Sequence, residues 1–426
     1  MQSKAIQGRL EDGHPRWRIT LAVVFLSQFT SAVGFAMVFP FLPLYVDHLG
    51  STLGMSVELG AGLVIGGQAL TMAIVAPFWG VVADRYGRKL MVMRAMFGGA
   101  VLLGLMAFVT SAEQLIFLRM VQGAITGTVA ANNAMAASVV PRSRVGFAMG
   151  TLQVGQWSGV AAGPVLGGLL ADAFGFSFPF YLTALLLFVA GVLVYFGVQE
   201  AAMPKRKADE PQMSVMDQFR HVLTADGVTP VYLLRFMSGV GRTMIIPIAP
   251  LFVVSLLPAE VAGQSIYAGL VMSVSSAAGV VSGIYLGRLG DKIGHRIVLF
   301  GCAIVATAFY IPQVFVTSVE QLLLLQAITG LASGGLIAAP AALLAQYTQA
   351  GEEGVAYGFD NALFSGARAV APMVGSGVAA LGGLRATFAA AAILHLSVIY
   401  ITHRYLPETR KEQAEAVSYR VAGAGD

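Results

Sequence analysis

The sequence predicts an all-α polytopic membrane protein of twelve transmembrane helices, arranged as two pseudo-symmetric six-helix bundles. Three observations carry this. Of 426 residues, 57% are hydrophobic and only 11% charged, against about 25% charge in a soluble domain. Apolar stretches of about 20 residues, the length that crosses a bilayer, recur twelve times. The two halves of the chain also repeat one another.

The twelve predicted spans lie near 18–46, 59–83, 90–110, 114–138, 146–171, 177–198, 229–256, 265–288, 297–316, 321–346, 354–381 and 385–404. The first sixteen residues are polar and the first apolar run is too long for a cleavable signal, so no leader is expected. One cysteine, Cys302, rules out a disulfide framework. Between spans 6 and 7 lies the one long polar stretch. It divides the chain into an N-terminal bundle (1–198), a linker (199–228) and a C-terminal bundle with its tail (229–426). The piece Val215 to Leu223 is amphipathic and suits an interfacial position.

Lys and Arg collect on the cytoplasmic side of a membrane protein. Of the 26 basic residues, 21 fall in the two tails, the linker and the 2–3, 4–5 and 8–9 connections. Arg385 alone falls on the opposite side. Both termini are therefore expected in the cytoplasm. The net charge of +4 follows from this bias and does not point to nucleic acid.

The repeat has an offset of 207. Gly80, Asp84 and Gly87 match Gly287, Asp291 and Gly294. Ser111, Glu113, Gln114 and Leu115 match Ser318, Glu320, Gln321 and Leu322, and Gly123 and Gly127 match Gly330 and Gly334. Pro164 matches Pro372 at 208. Two six-span repeats in one orientation imply a substrate path between them, and a monomer, since one chain already holds both.

Four bases remain at membrane depth, Arg119, Arg235, Arg242 and Arg368, with one acid, Asp360. Such groups are functional candidates. Arg235 and Asp360 both lie about 10 Å from the inner surface by helix rise and are expected to pair; Arg242 and Arg368 lie about 20 Å deep with no carboxylate. Two readings of those two stay open. They bond to carbonyls freed by Pro247 and Pro250, or they hold an anionic or zwitterionic substrate. Arg119 is expected against the carbonyls of Ala36 and Phe39, which Pro40 and Pro43 leave free. Gln28, Asn132, Asn133, Gln153, Gln156, Trp157 and His395 complete the candidate cavity, and each can serve packing instead.

The connection Gly80-Val-Val-Ala-Asp84-Arg85-Tyr-Gly87-Arg88-Lys89, with its weaker copy around Asp291, resembles the signature loop of the major facilitator superfamily. Arg119-Met-Val-Gln122-Gly123 resembles that family's fourth-helix motif, whose Arg is linked to proton coupling. Gly155 to Gly168, with Gly159, Gly163, Pro164, Gly167 and Gly168, resembles the fifth-helix motif of its proton-coupled antiporters. Val38 to Tyr45 and Pro77 to Gly80 look like the family's bacterial multidrug exporters. The resemblance implies a bacterial inner-membrane protein in which Gly80, Asp84, Arg85, Gly87, Arg88 and Asp291 form a gate. Asp84 would meet the helix start near Glu353–Ala356. It implies alternating access driven by the proton gradient, with lipid, protons and a small molecule as partners and no cofactor. The resemblance assigns proton coupling to Arg119; by the buried charges themselves, Asp360 paired with Arg235 is the expected proton carrier, since a carrier must change charge between states.

The glycine-rich stretches lack the Gly-Lys-Ser/Thr ending of a phosphate loop, so no nucleotide is expected. There is no metal-ligand cluster and no nucleophile–base pair, so an enzyme is not expected. The first reading is a proton-coupled antiporter exporting a small, drug-like amphipathic molecule. A symporter or facilitator importing an organic acid is the alternative, and a non-transporting sensor on the same fold is a second one.

Overall fold

A computed structural model describes residues 17–141, 144–198, 227–258, 261, 263–347 and 353–406. Among the described residues there are fifteen helices and no strand. They are α1 (Trp17–Val38), α2 (Leu42–Leu49), α3 (Val57–Tyr86), α4 (Arg88–Met106), α5 (Ala112–Ile125), α6 (Thr128–Val139), α7 (Val145–Phe174) and α8 (Ser177–Gly197). The rest are α9 (Val228–Thr243), α10 (Ala249–Leu256), α11 (Gln264–Ile293), α12 (His295–Gln313), α13 (Val319–Tyr347), α14 (Glu353–Gly382) and α15 (Leu384–Tyr405). Eight are by themselves long and apolar enough to cross a membrane.

Fifteen helices make twelve spans because three spans are broken. Pro40 and Pro43 separate α1 from α2, and Pro247 and Pro250 separate α9 from α10, since proline removes a donor and crowds the preceding turn. The third break, between α5 and α6, contains no proline. Thr126 is extended there and Gly127 takes φ 127°, a conformation that glycine adopts at little cost. The matching span of the second repeat, α13, runs unbroken.

By internal packing the chain forms two units. The first is Met1–Lys207 with Pro247–Ser273; the second is Ala208–Ile246 with Val274–Asp426. The predicted linker lies mostly outside the described residues.

The repeat reappears as packing. Gly123 of α5 lies against the Gln68 carbonyl of α3, and Gly330 of α13 against the Ser275 carbonyl of α11. Gly167 of α7 meets the Met37 carbonyl, and Gly375 of α14 meets the Met244 carbonyl. Any side chain at these four glycines would overlap backbone, which is why small residues recur where membrane helices approach closely. The helix starts repeat too. The Gln114 N–H donates to Ser111 Oγ at 3.4 Å and the Thr110 N–H to Gln114 Oε1 at 3.0 Å. Gln321, Ser318 and Thr317 make the same bonds at 3.4 and 3.1 Å.

Candidate functional site

In the first unit α7 docks on α1 through glycines four residues apart. A Cβ at Gly155 would stand 2.9 Å from the Phe25 ring, one at Gly159 2.7 Å from the Ala32 Cβ, and one at Gly163 2.6 Å from the Ala36 Cβ. These residues of the antiporter-like stretch are thus packing residues, whatever else they do. Close approach brings side chains of three helices together. Asn132 of α6 donates to Gln28 Oε1 of α1 at 2.8 Å, and Gln28 Nε2 donates to Gln156 Oε1 of α7 at 3.2 Å. Gln28 and Asn132 are buried in this node; Gln156 and Asn133 are half-buried, while Gln153 and Trp157 are exposed on α7. Gln153, Gln156 and Trp157 share one helix face by their spacing.

Arg119 is 1% exposed. Its Nη1 donates to Gln68 Oε1 at 3.0 Å and to Gln122 Oε1 at 3.1 Å. The expected partners, the carbonyls of Ala36 and Phe39, do not hold it. The contact of Gly123 with the Gln68 backbone fixes the register of α5 on α3 and sets Arg119 beside the Gln68 amide instead. Thr71 Oγ1 donating to the Met120 carbonyl at 2.7 Å fixes it further.

At the α5–α6 break, Arg94 Nη2 of α4 donates to the freed Thr126 carbonyl at 3.4 Å, and its guanidinium stacks 3.6 Å over the Trp79 ring. Trp79 Nε1 in turn donates to the Ala124 carbonyl at 2.6 Å.

Sequence reasoning passed over Asp172. It stands in the last turn of α7, where the helix dipole is unfavourable to an acid. Its carboxylate accepts the N–H groups of Ser265 at 3.1 Å and Ile266 at 2.7 Å, in the first turn of α11 within the same unit. Gly168 against the Ser265 carbonyl and Gly269 against the Pro164 carbonyl draw the two helices close enough for this. An acid at the wrong end of its own helix was the legible signal.

In the second unit Arg235 Nε of α9 lies 3.1 Å from Asp360 Oδ1 of α14. Arg235 Nη1 donates to the Ile337 carbonyl of α13 at 2.7 Å, and the guanidinium lies 4.8 Å over the Phe364 ring. Arg235 occupies the position of Gln28 in the repeat, at offset 207, and Phe364 that of Gln156, at offset 208. A neutral amide node in one unit thus corresponds to a buried ion pair in the other.

Arg242 is half-buried and within electrostatic reach of Arg368, Tyr310 and Arg235. Arg368 is exposed, two turns along α14 from Asp360. Neither forms a hydrogen bond or an ion pair among the described residues, so the expected carbonyl partners of Arg242 and Arg368 do not hold them. His395 is 1% exposed, its Nδ1 2.8 Å from the Ala391 carbonyl, its ring 5.1 Å from Tyr310 and pressed on Gly241. It lies enclosed, not open.

Of the gate-like loop, the side chains at Gly80, Asp84 and Arg85 lie outside the described residues, and so does the expected docking of Asp84. Gly87 takes φ 99° and its repeat Gly294 φ 98°, the turn geometry that requires glycine in both copies. Arg88 opens α4 and is half-buried. Asp291 is largely exposed, with His295 Nε2 3.2 Å from its Oδ1.

The Major Facilitator Superfamily pattern matches residues 24–228 and 231–423. Multidrug resistance protein MdtG of Salmonella typhimurium and that of Salmonella schwarzengrund are each 33% identical over 385 residues, covering 90% of this chain and 95% of theirs. Among solved structures, a bacterial homologue of the human lysosomal transporter Spinster superposes with TM-score 0.74 at 13% identity, covering 91% of this chain and 96% of that one. The nucleoside transporter NupG superposes with TM-score 0.71 at 13% identity, over 91% and 98%. With two matched halves and relatives at this identity along nearly its whole length, the chain is a member of the major facilitator superfamily.

Proposed function

We propose that this transporter is a proton-coupled antiporter that exports a small amphipathic molecule bearing a negative charge, anionic or zwitterionic. The observation that carries the charge class is the state of Arg242 and Arg368. Two guanidinium groups at mid-depth have no counter-charge among the described residues, and Arg368 is exposed. A charge at that depth is costly, so a bound anion is the natural complement. The relatives' name, multidrug resistance protein, supports export as the direction.

The Arg235–Asp360 pair supplies the proton step. A proton carrier must change charge during the cycle, and Asp360, ion-paired with Arg235 between α9 and α14, is the acid placed to do so. Asp360 then takes a proton on one side and releases it on the other. Arg119, whose hydrogen-bond partners among the described residues are the neutral amides of Gln68 and Gln122, is the basic group assigned to coupling in the first unit. The basic connections and both tails face the cytoplasm, and one chain acts as a monomer. No cofactor takes part; the proton gradient is the energy source.

Proteoliposomes of the purified chain, offered matched anionic, zwitterionic and cationic amphiphiles under an imposed pH gradient, test the charge class. The anionic and zwitterionic compounds are expected to move, and Arg368→Gln and Arg242→Gln to stop them. Movement of cations alone, unaffected by either substitution, contradicts the proposal.

A further inference from the structure

At the basic end of the first unit, α1 and α7 begin side by side and enclose a groove of about 440 Å³ lined by Trp17, Arg18, Leu21, Ala22, Phe25, Arg144, Phe147 and Thr151. Its two parts differ in character. The mouth holds Arg18 and Arg144, whose guanidinium carbons lie 5.5 and 5.9 Å from the centre of the same Trp17 ring. Both arginines are exposed, and no acid lines the groove among the described residues. The floor, Leu21, Ala22, Phe25 and Phe147, is apolar.

Two helix starts meet at that mouth. Trp17 and Arg18 open α1, and Arg144 is the N-cap of α7. Neither helix has an acid in its first turn, and the Arg144 side chain makes no capping bond. Helix starts carry unsatisfied N–H groups and partial positive charge. Two arginines are thus held together where the backbone is also positive, a repulsive arrangement unless an anion joins it. Both guanidinium groups lie within 6 Å of the centre of one aromatic ring, and Arg suits a phosphate because its donors match two oxygens at once.

We infer that this groove binds an anionic phospholipid of the adjoining leaflet, its phosphate between Arg18 and Arg144 on Trp17 and an acyl chain along Leu21, Ala22, Phe25 and Phe147. Charge complementarity selects the headgroup. The apolar floor distinguishes a lipid from a free phosphate ion. Basic pockets between membrane helices take anionic headgroups in this way. The site is separate from the residues proposed for substrate and proton, and it stands whether or not the exported molecule is an anion.

Native mass spectrometry of the full chain in detergent tests the site. The probes are phosphatidylglycerol, phosphatidylcholine with the same acyl chains, and inorganic phosphate. The wild type is expected to retain one phosphatidylglycerol in preference to phosphatidylcholine. The double substitution Arg18→Gln with Arg144→Gln is expected to weaken that adduct roughly thirtyfold, at two surface arginines' worth of attraction. Arg18→Lys with Arg144→Lys, which keeps both charges, is expected to retain most of the preference. Ala22→Trp, which fills the floor and leaves the charges, is expected to lose the adduct as well. Equal retention of the two lipids by the wild type overturns the proposal. So does an unchanged adduct in the double Gln variant. Displacement of the lipid by inorganic phosphate with no effect of Ala22→Trp overturns the lipid as occupant and leaves a site for a free anion.

Discussion

Arg235 Nε lies 3.1 Å from Asp360 Oδ1, joining α9 to α14 with both side chains withdrawn from solvent. Removing one member of a buried pair leaves the other charge uncompensated, at a cost of about 3–5 kcal/mol. Arg235→Gln and Asp360→Asn are each expected to destabilise the protein by an amount of that order. The double variant is expected to lose clearly less than the sum. Thermal unfolding in detergent checks this; additive losses would mean the two groups do not interact.

Gly167 against the Met37 carbonyl and Gly375 against the Met244 carbonyl are one contact made twice. Gly167→Ala and Gly375→Ala are therefore expected to destabilise alike, by about 1–3 kcal/mol for an overpacked contact. Gly150, with open space around it, is the control. Gly150→Ala is expected to leave the unfolding midpoint unchanged or slightly raised.

Asp172 is expected to protect the start of α11. Loss of a side-chain cap is worth about 1 kcal/mol, or roughly fivefold in local opening. In Asp172→Ala the amides of Ser265 and Ile266 are expected to exchange faster by that factor, while amides in the middle of α7 do not change. Hydrogen exchange read by mass spectrometry reports both segments together.

Glu113 introduces a pH dependence. Ser51 Oγ donates to it at 2.6 Å, and that bond, with the backbone N–H groups of Glu113 itself and Leu53, holds its carboxyl at about 2, below the ordinary 4.5. A group with a depressed folded value stabilises the fold above its unfolded value and loses that contribution as pH falls towards the folded one. Protection of the Leu53 amide, its exchange measured against the free-peptide rate at the same pH, is expected to be highest at neutral pH and to fall as pH drops from about 4.5 towards about 2. Glu113→Gln is expected to flatten this profile. Its repeat, Glu320, is held below the usual carboxylate range mainly by Ser318.

Much of the fold was legible because membrane helices are written in long apolar runs and because the chain repeats itself. The breaks at Pro40 and Pro247 were legible for the same kind of reason: proline acts locally. The break at Gly127 was not. A glycine inside an apolar run marks close packing as readily as a turn, and only the tertiary setting decides. Arg119 shows a second limit. Depth along a helix brought Ala36 and Phe39 level with it, but rotation and register, set by Gly123 on α3, delivered Gln68. Arg235 and Asp360 could be matched by depth because a lone buried acid has few partners. The amides Gln28, Asn132 and Gln156 could not, since each has many. Their node emerges only from the packing of α1, α6 and α7.

Asp360 is proposed to carry the transported proton. The direct measurement uses proteoliposomes holding a pH-sensitive dye under an imposed pH gradient, comparing the wild type with Asp360→Asn as an anionic amphiphile is added. Substrate-dependent proton movement is expected in the wild type and none in Asp360→Asn, with binding of the amphiphile retained. Equal proton movement in both proteins would contradict it.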